Sequence, residues 1–228
     1  APILERARTA EIPIEMDSSL FFAHCPSKDI IGITGSKGKT TTSTAIAAVM
    51  QAIDPKTLVV GVDGISPLGA LLRGDNTIPV VFELSSWRLE PLQEKKISPH
   101  IGVCTSLYRD HLNTYASFDE YIEVKKQIIK DQNENDIAIL NADDERIRTW
   151  EQEVKGILYW YSLEPLGEGE QGIYIENDSV CVIPASEPES TTTWIPGQAR
   201  DDAYLNKTQT PICSVSDIPH RSPHELRN

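Results

Sequence analysis

From Asp29 to about Trp150, short and nearly continuous apolar runs alternate with longer segments of helical periodicity. DIIGI precedes TTSTAIAAVMQA; LVVGV, IPVVFEL and HIGVC come next; SFDEYIEVKKQII, DIAIL and ADDERIRTW close the series. Unbroken Ile, Val and Leu without polar alternation mark strands covered by helices on both faces. The alternation of the two patterns therefore predicts an α/β fold with a doubly wound, mostly parallel sheet. Functional groups on such a sheet belong at the carboxyl ends of the strands. After Trp150, ILYWYS and GIYIENDSVCVI read as two or three short strands around the turn-rich EPLGEGEQG, which predicts a small β-rich extension. From Pro184 to about Asn206, Pro, Ser, Thr and charge replace any periodicity, so residues 184–206 are expected to form an irregular insertion. The segment VIPASEPESTTTWIPGQARDD also looks like a translated dispersed DNA repeat. The remaining residues, to Asn228, are expected to form an irregular tail.

Charge narrows the partners. With 21 basic and 34 acidic side chains the net charge is −13, a field that repels nucleic-acid backbones and anionic lipid. No nucleic-acid partner is expected, and an anionic substrate needs a local cradle of positive groups. No apolar run approaches the roughly 20 residues of a membrane span. Cys25, Cys104, Cys181 and Cys213 form no CxxC pair, so neither a zinc site nor a disulfide framework is predicted, and a cytoplasmic location fits best. The charged opening APILERARTA lacks the apolar core of a signal peptide and reads as the middle of a longer chain.

The cradle is found in GITGSKGKTT, Gly32 to Thr41, between the first run and the first helix. Glycines let backbone N–H groups close around phosphate oxygens, and the following helix adds its positive end. Lys39 is placed to reach the β/γ phosphates and the Thr40 hydroxyl to ligate Mg²⁺. The spacing departs from G-x4-GK[ST], so this is a variant phosphate loop. Glu83 follows the apolar residues of PVVFE and belongs at the carboxyl end of a buried strand, where a carboxylate needs a cation. His111, after the strand HIGVCTS, belongs to the same edge. Ser117 with Glu120 three residues on is a capping box. Counting about 100° per residue from there, Tyr121, Ile122, Ile128 and Ile129 form an apolar stripe with Lys125 at its centre, and Glu123, Lys126, Gln127 and Lys130 fall on the polar face. An ammonium on the apolar stripe must snorkel, pair with a carboxylate or lose its charge.

The loop, in the form T-G-[ST]-x-G-K-[ST]-T, resembles that of the Mur ligase family. IPVVFELSSWRLE, RDHLNTYASFDEYIEVKKQI, NDIAILNADD and the final IPHRSPHELRN resemble further segments of the same family, and ELSSWRLE is most similar to its D-glutamate-adding branch. The resemblance implies four regions: an exit linker from an N-terminal domain at 1–24, a central ATP-binding domain at 25–183, the insertion at 184–206, and the end of the central domain at 207–228. It implies ATP and Mg²⁺ as cofactors, and UDP-N-acetylmuramoyl-L-alanine and D-glutamate as small-molecule substrates joined through an acyl phosphate. It also implies roles: Gly35, Ser36, Lys37, Gly38, Lys39, Thr40 and Thr41 around the nucleotide phosphates, with Asn228 near adenine. Thr40, Glu83, His111 and a carbamylated Lys125 would ligate Mg²⁺, and Lys39, His111 and Lys125 would act in catalysis. Departures from the pattern stand at Asp63, Ser106, Ser222 and Glu225. Two other readings stay open: a folylpolyglutamate synthase-like ligase, and a truncated, non-catalytic nucleotide-binding remnant.

Overall fold

The computed structural model describes residues 2–62, 65–72, 79–109, 114–184 and 210–214. Among them nine strands form one sheet: β1 (Ile30–Thr34), β2 (Leu58–Val60), β3 (Val80–Glu83), β4 (Ile101–Cys104), β5 (Ile137–Asn141), β6 (Ile157–Tyr161), β7 (Gly172–Glu176), β8 (Ser179–Ile183) and β9 (Thr210–Ser214). Their order is β2-β3-β1-β4-β5-β6-β7-β8-β9. The strands from β2 to β7 run parallel, whereas β8 and β9 add antiparallel at one edge. The chain leaves β1 toward β2 and β3 on one side and toward β4 to β7 on the other. The reversal of winding, where ligands of such sheets bind, therefore falls at the carboxyl end of β1. β1 is buried along its whole length, as its unbroken apolar run requires.

Two cores flank the sheet. On one face α3 (Lys39–Ile53) packs Ala47, Ile46 and Met50 onto Ile31, Ile33, Val81 and Val103. On the other, α2 (Asp17–His24), α5 (Ser86–Lys95) and α6 (Phe118–Lys130) cover Ile30, Val80, Phe82 and Cys104 with Phe21, Leu89, Leu92, Tyr121 and Ile128. Smaller helices are α1 (Pro2–Thr9), α4 (Pro67–Leu71) and α7 (Glu145–Arg148), the last followed by a 3₁₀ turn at Thr149–Glu153. The segment read as a linker thus contains two helices. Phe21 of α2, fully buried, meets Phe82 of β3 edge-to-face at 5.2 Å.

Glycine sets the depth of α6. A Cβ at Gly102 would stand 2.4 Å from the Ile128 carbonyl oxygen, and one at Gly32 would stand 2.6 Å from Pro99 Cγ and 3.0 Å from Ile128 Cδ1. Bare backbone at these two points lets the helix settle directly on β1 and β4. Its start departs from the expected box in one bond. Ser117 Oγ accepts from Glu120 N at 3.1 Å, but Glu120 Oε2 accepts from Ala116 N at 2.6 Å, one residue before the Ser117 amide. The stripe is buried as expected, while the face read as polar is half wrong. Gln127 is fully buried, donating to Ile97 O at 2.9 Å and Asp131 Oδ2 at 2.7 Å. Lys126 is 8% exposed and pairs with Glu123 and Glu153. Residues 97–99 and the 3₁₀ turn cover flanks of α6 that helical periodicity alone leaves in solvent.

The β-rich extension is a continuation of the main sheet, not a separate unit. The tail contains a strand the sequence does not announce: β9 pairs with β8 across an irregularity at Val180/Cys181. A five-residue run containing Pro211 carries little strand signal, and proline is at home on such an edge. The insertion beyond Pro184, up to residue 209, lies outside the described residues.

Candidate functional site

At the carboxyl end of β1 the chain enters a loop that only glycine permits. Gly35 has φ 144°, and a Cβ there would lie 1.9 Å from Thr105 Oγ1. Gly38, at φ 82°, is the N-cap of α3 and provides no side-chain cap. Helix geometry leaves the opening amides of this 15-residue helix without intrahelical acceptors, so they point into the loop together with the positive end of the helix dipole. Thr40 and Thr41 stand exposed on that first turn. Lys39 Nζ folds back and donates to Gly35 O at 2.9 Å and Ser36 O at 3.3 Å.

The segment after β4 clamps the loop from the other side. Ser36 N donates to Ser106 O at 2.7 Å, Lys37 N to Ser106 Oγ at 3.1 Å, and Thr105 Oγ1 to Lys37 O at 2.6 Å. Ser36 Oγ accepts from Tyr108 N at 2.9 Å and lies 3.2 Å from Tyr121 Oη, so the hydroxyl of this predicted phosphate contact braces the loop. The Lys37 side chain is exposed. Behind the clamp, Asn141 Nδ2 at 2.9 Å and Tyr161 Oη at 2.6 Å both donate to Thr105 O. Asp144 accepts from Leu107 N at 3.0 Å while capping α7 through Arg146 N at 3.0 Å. Thr105, Tyr108, Asn141 and Tyr161 went unread in the sequence. Ser106, singled out only as a departure, was the available signal. Burial pushes the Cys104 thiol at the end of β4 up to about 12, so it is a neutral packing group beneath the clamp.

Glu83 ends β3, half-buried, opposite Ile33 in the register, and its Oε2 accepts from Ser43 Oγ of α3 at 3.3 Å. Its carboxylate and the Thr40 hydroxyl thus belong to the same mouth, on the α3 side. Lys125 arrives from the α6 side. It is 1% exposed, and its Nζ donates to Gly35 O at 3.0 Å and Thr34 Oγ1 at 3.4 Å while lying 4.8 Å from the Tyr121 ring centroid. The lysine on the apolar stripe therefore does not snorkel to solvent but is buried, with its amine donating to the loop. Lys39 and Lys125 therefore converge on one carbonyl, that of Gly35. Among the described residues no group of three or more His, Cys, Asp or Glu gathers to hold a metal ion. His111 and Asn228 lie outside the described residues, as do Asp63, Ser222 and Glu225.

A glycine loop that closes a central parallel strand onto a bare helix N-terminus, with a lysine in the loop and an acidic strand end beside it, defines a phosphate-loop α/β domain. The family described as Mur ligase middle domain matches residues 33–178, and the chain belongs to the Mur ligase family. It is 42% identical over 145 residues to UDP-N-acetylmuramoylalanine--D-glutamate ligase of Roseiflexus sp. (strain RS-1), covering 64% of this chain and 31% of that protein. It is 34% identical over 180 residues to the ligase of the same name from Koribacter versatilis (strain Ellin345), covering 78% and 38%. The chain thus spans less than two fifths of the length of these curated relatives. Among solved structures the fold is similar to MurF ligase from Thermotoga maritima in complex with ADP, with TM-score 0.54, 20% identity, and coverage of 73% of this chain and 40% of that one. Among the described residues no helix is long and apolar enough to cross a membrane.

Proposed function

We propose that this chain is the ATP-binding part of a ligase that joins D-glutamate to UDP-N-acetylmuramoyl-L-alanine through an acyl phosphate. The observation that carries the nucleotide half is the loop itself: Gly38 caps α3 with nothing but backbone while Lys39 rests on the loop's own carbonyls. Those carbonyl bonds are easily exchanged for phosphate oxygens, which would draw the Lys39 ammonium outward over the β/γ phosphates. The amino-acid half rests on the names of the curated relatives.

The residues fit Mg²⁺ as far as they are described: Glu83 offers a carboxylate and Thr40 a hydroxyl across the mouth from Lys125. When bound, the ion would neutralise charge on the phosphates and the attacking carboxylate. Glu83 would hold it, with Ser43 orienting the carboxylate through its hydrogen bond. His111, Asn228 and the carbamylated form of Lys125 enter this reading from the family resemblance. Thr105 and Ser106 keep the loop in shape, so the amides are in place before a nucleotide arrives.

The test is calorimetric titration of the chain with Mg-ATP, alone and as Lys39→Ala. Binding that falls by tenfold or more in the variant is expected, because one charge-assisted contact to phosphate contributes on the order of 1.5–3 kcal/mol. Equal affinity in both chains would remove the glycine loop as the phosphate site.

A further inference from the structure

One aromatic ring away from the glycine loop lies a recess of about 370 Å³, lined by Arg109, Tyr115, Phe118, Asp119 and Arg146 among others. Two guanidiniums rest on a single ring there: Cζ of Arg109 is 5.8 Å and Cζ of Arg146 is 5.3 Å from the Phe118 centroid. Both arginines are exposed, and among the described residues neither has an ion-pair partner. An aromatic ring steadies a guanidinium without using up its N–H donors. In a chain of net charge −13, two such cations without an ion-pair partner among the described residues keep their donor sets for something else.

At the helix start two of the amides are already taken, so the guanidiniums are the principal free donors of the recess. The Ala116 amide is taken by Glu120 Oε2 at 2.6 Å and the Glu120 amide by Ser117 Oγ at 3.1 Å. Phe118 does not offer itself for stacking a base, since it carries both guanidiniums and stacks on Tyr121 at 6.1 Å. An oxyanion suits the recess, and among its described lining residues the two arginines outweigh the single carboxylate of Asp119. Its position is set by contacts already described. Arg109 follows Tyr108, whose amide donates to Ser36 Oγ, and Tyr121 Oη lies 3.2 Å from the same oxygen.

We propose that Arg109 and Arg146, steadied on Phe118, form an oxyanion subsite for a second ligand held beside the nucleotide, taking its phosphate or carboxylate group. The neighbouring nucleotide rests on the reading of the glycine loop above; the capacity of the two arginines to bind an oxyanion does not.

Calorimetry on the 228-residue chain saturated with Mg²⁺ and a non-hydrolysable ATP analogue tests this, with inorganic phosphate and succinate as separate probes. One further equivalent of binding is expected, and the tighter probe identifies the group as phosphate or carboxylate. The double substitution Arg109→Ala/Arg146→Ala should weaken that equivalent by more than about tenfold, with nucleotide affinity and Tm unchanged. In Lys39→Ala the equivalent should persist while nucleotide affinity falls, which separates this site from the glycine loop. The proposal is overturned by the absence of a further equivalent for both probes or by its survival in the double variant. Its loss in Lys39→Ala, or a parallel loss of nucleotide in the double variant, overturns it as well.

Discussion

Two lysines share the Gly35 carbonyl, yet their surroundings assign them different work. Lys39 is half-buried on the first turn of α3 and can swing outward; Lys125 is enclosed beneath the loop, with Tyr121 against its ammonium. Replacing Lys125 by alanine deletes the donor to Gly35 O and opens a cavity, a stability cost of about 1–3 kcal/mol that thermal denaturation of the isolated chain should register. Alanine is itself the better helix former, so α6 should survive the change. In a ligase completed with the remaining domains of a curated relative, the two readings of Lys125 diverge. A carbamate that ligates Mg²⁺ predicts that Lys125→Ala costs more than about a hundredfold in turnover, with partial rescue by acetate, because small carboxylates replace the lost oxygens. A donor that merely shapes the loop predicts substantial activity in Lys125→Arg and none of the acetate rescue. Turnover of Lys125→Ala with and without acetate, beside that of Lys125→Arg, decides between them.

At the scale of elements, α6 couples the core to the loop, since the helix that packs on Gly32 and Gly102 also carries Tyr121 to Ser36 and Lys125 to Gly35. Gly102→Ala should lift it, because the new methyl meets the Ile128 backbone oxygen at 2.4 Å. Overpacking of this kind costs about 1–3 kcal/mol, a fall in Tm of about 2–12 °C for a chain of this size, and nucleotide affinity should fall with it. Gly69→Ala is the control: its Cβ meets nothing closer than 3.5 Å, and alanine in α4 should hold or raise Tm. A Gly102→Ala chain with unaltered Tm and affinity would uncouple α6 from the site. A second element-scale effect concerns the tie between α7 and the β6–β7 turn. Burial raises the Glu170 carboxyl, but hydrogen bonds from Arg148 and the Gly167 amide more than offset it and hold the group below the usual carboxylate range. A depressed folded pKa contributes stability that is present above about 4.3 and lost as pH falls through the lower folded value. The Tm difference between the parent and Glu170→Gln should therefore be full at pH 6 and shrink below pH 4; a difference independent of pH contradicts the assignment.

The same elements explain what was legible beforehand. Strands buried on both faces and helices one turn apart write themselves as apolar runs and periods, so β1, β3 to β5, α3 and α6 were readable to within a few residues. The glycine loop was readable because its backbone demands glycine. The clamp was not, because Thr105, Tyr108, Asn141 and Tyr161 act through single hydrogen bonds between segments distant in sequence, which leave no period. The burial of Gln127 and Lys126 escaped for the same reason, since what covers them comes from residues 97–99 and Thr149–Glu153.

For the whole molecule, one edge of the sheet carries the phosphate loop, Glu83 and Lys125, and a charged recess adjoins it, whereas the relatives that share 34–42% identity are more than twice as long. An amide ligase must hold an acceptor carboxylate, a nucleotide and an amine within reach at once, and that positioning supplies much of its rate. A part that holds the nucleotide and only one oxyanion group of a second ligand should therefore bind without turning over. The isolated chain is expected to take up Mg-ATP and to release no phosphate when given UDP-N-acetylmuramoyl-L-alanine and D-glutamate. Joined in frame to the remaining domains of the Roseiflexus sp. ligase, it is expected to form the amide product, detectable by mass spectrometry. Product from the isolated chain would show that the site is complete within these residues. Failure of the joined protein, with nucleotide binding intact, would instead favour the remnant reading. The departure at Ser106 is then the first place to look, because its backbone and hydroxyl hold Ser36 and Lys37 where the phosphates must land.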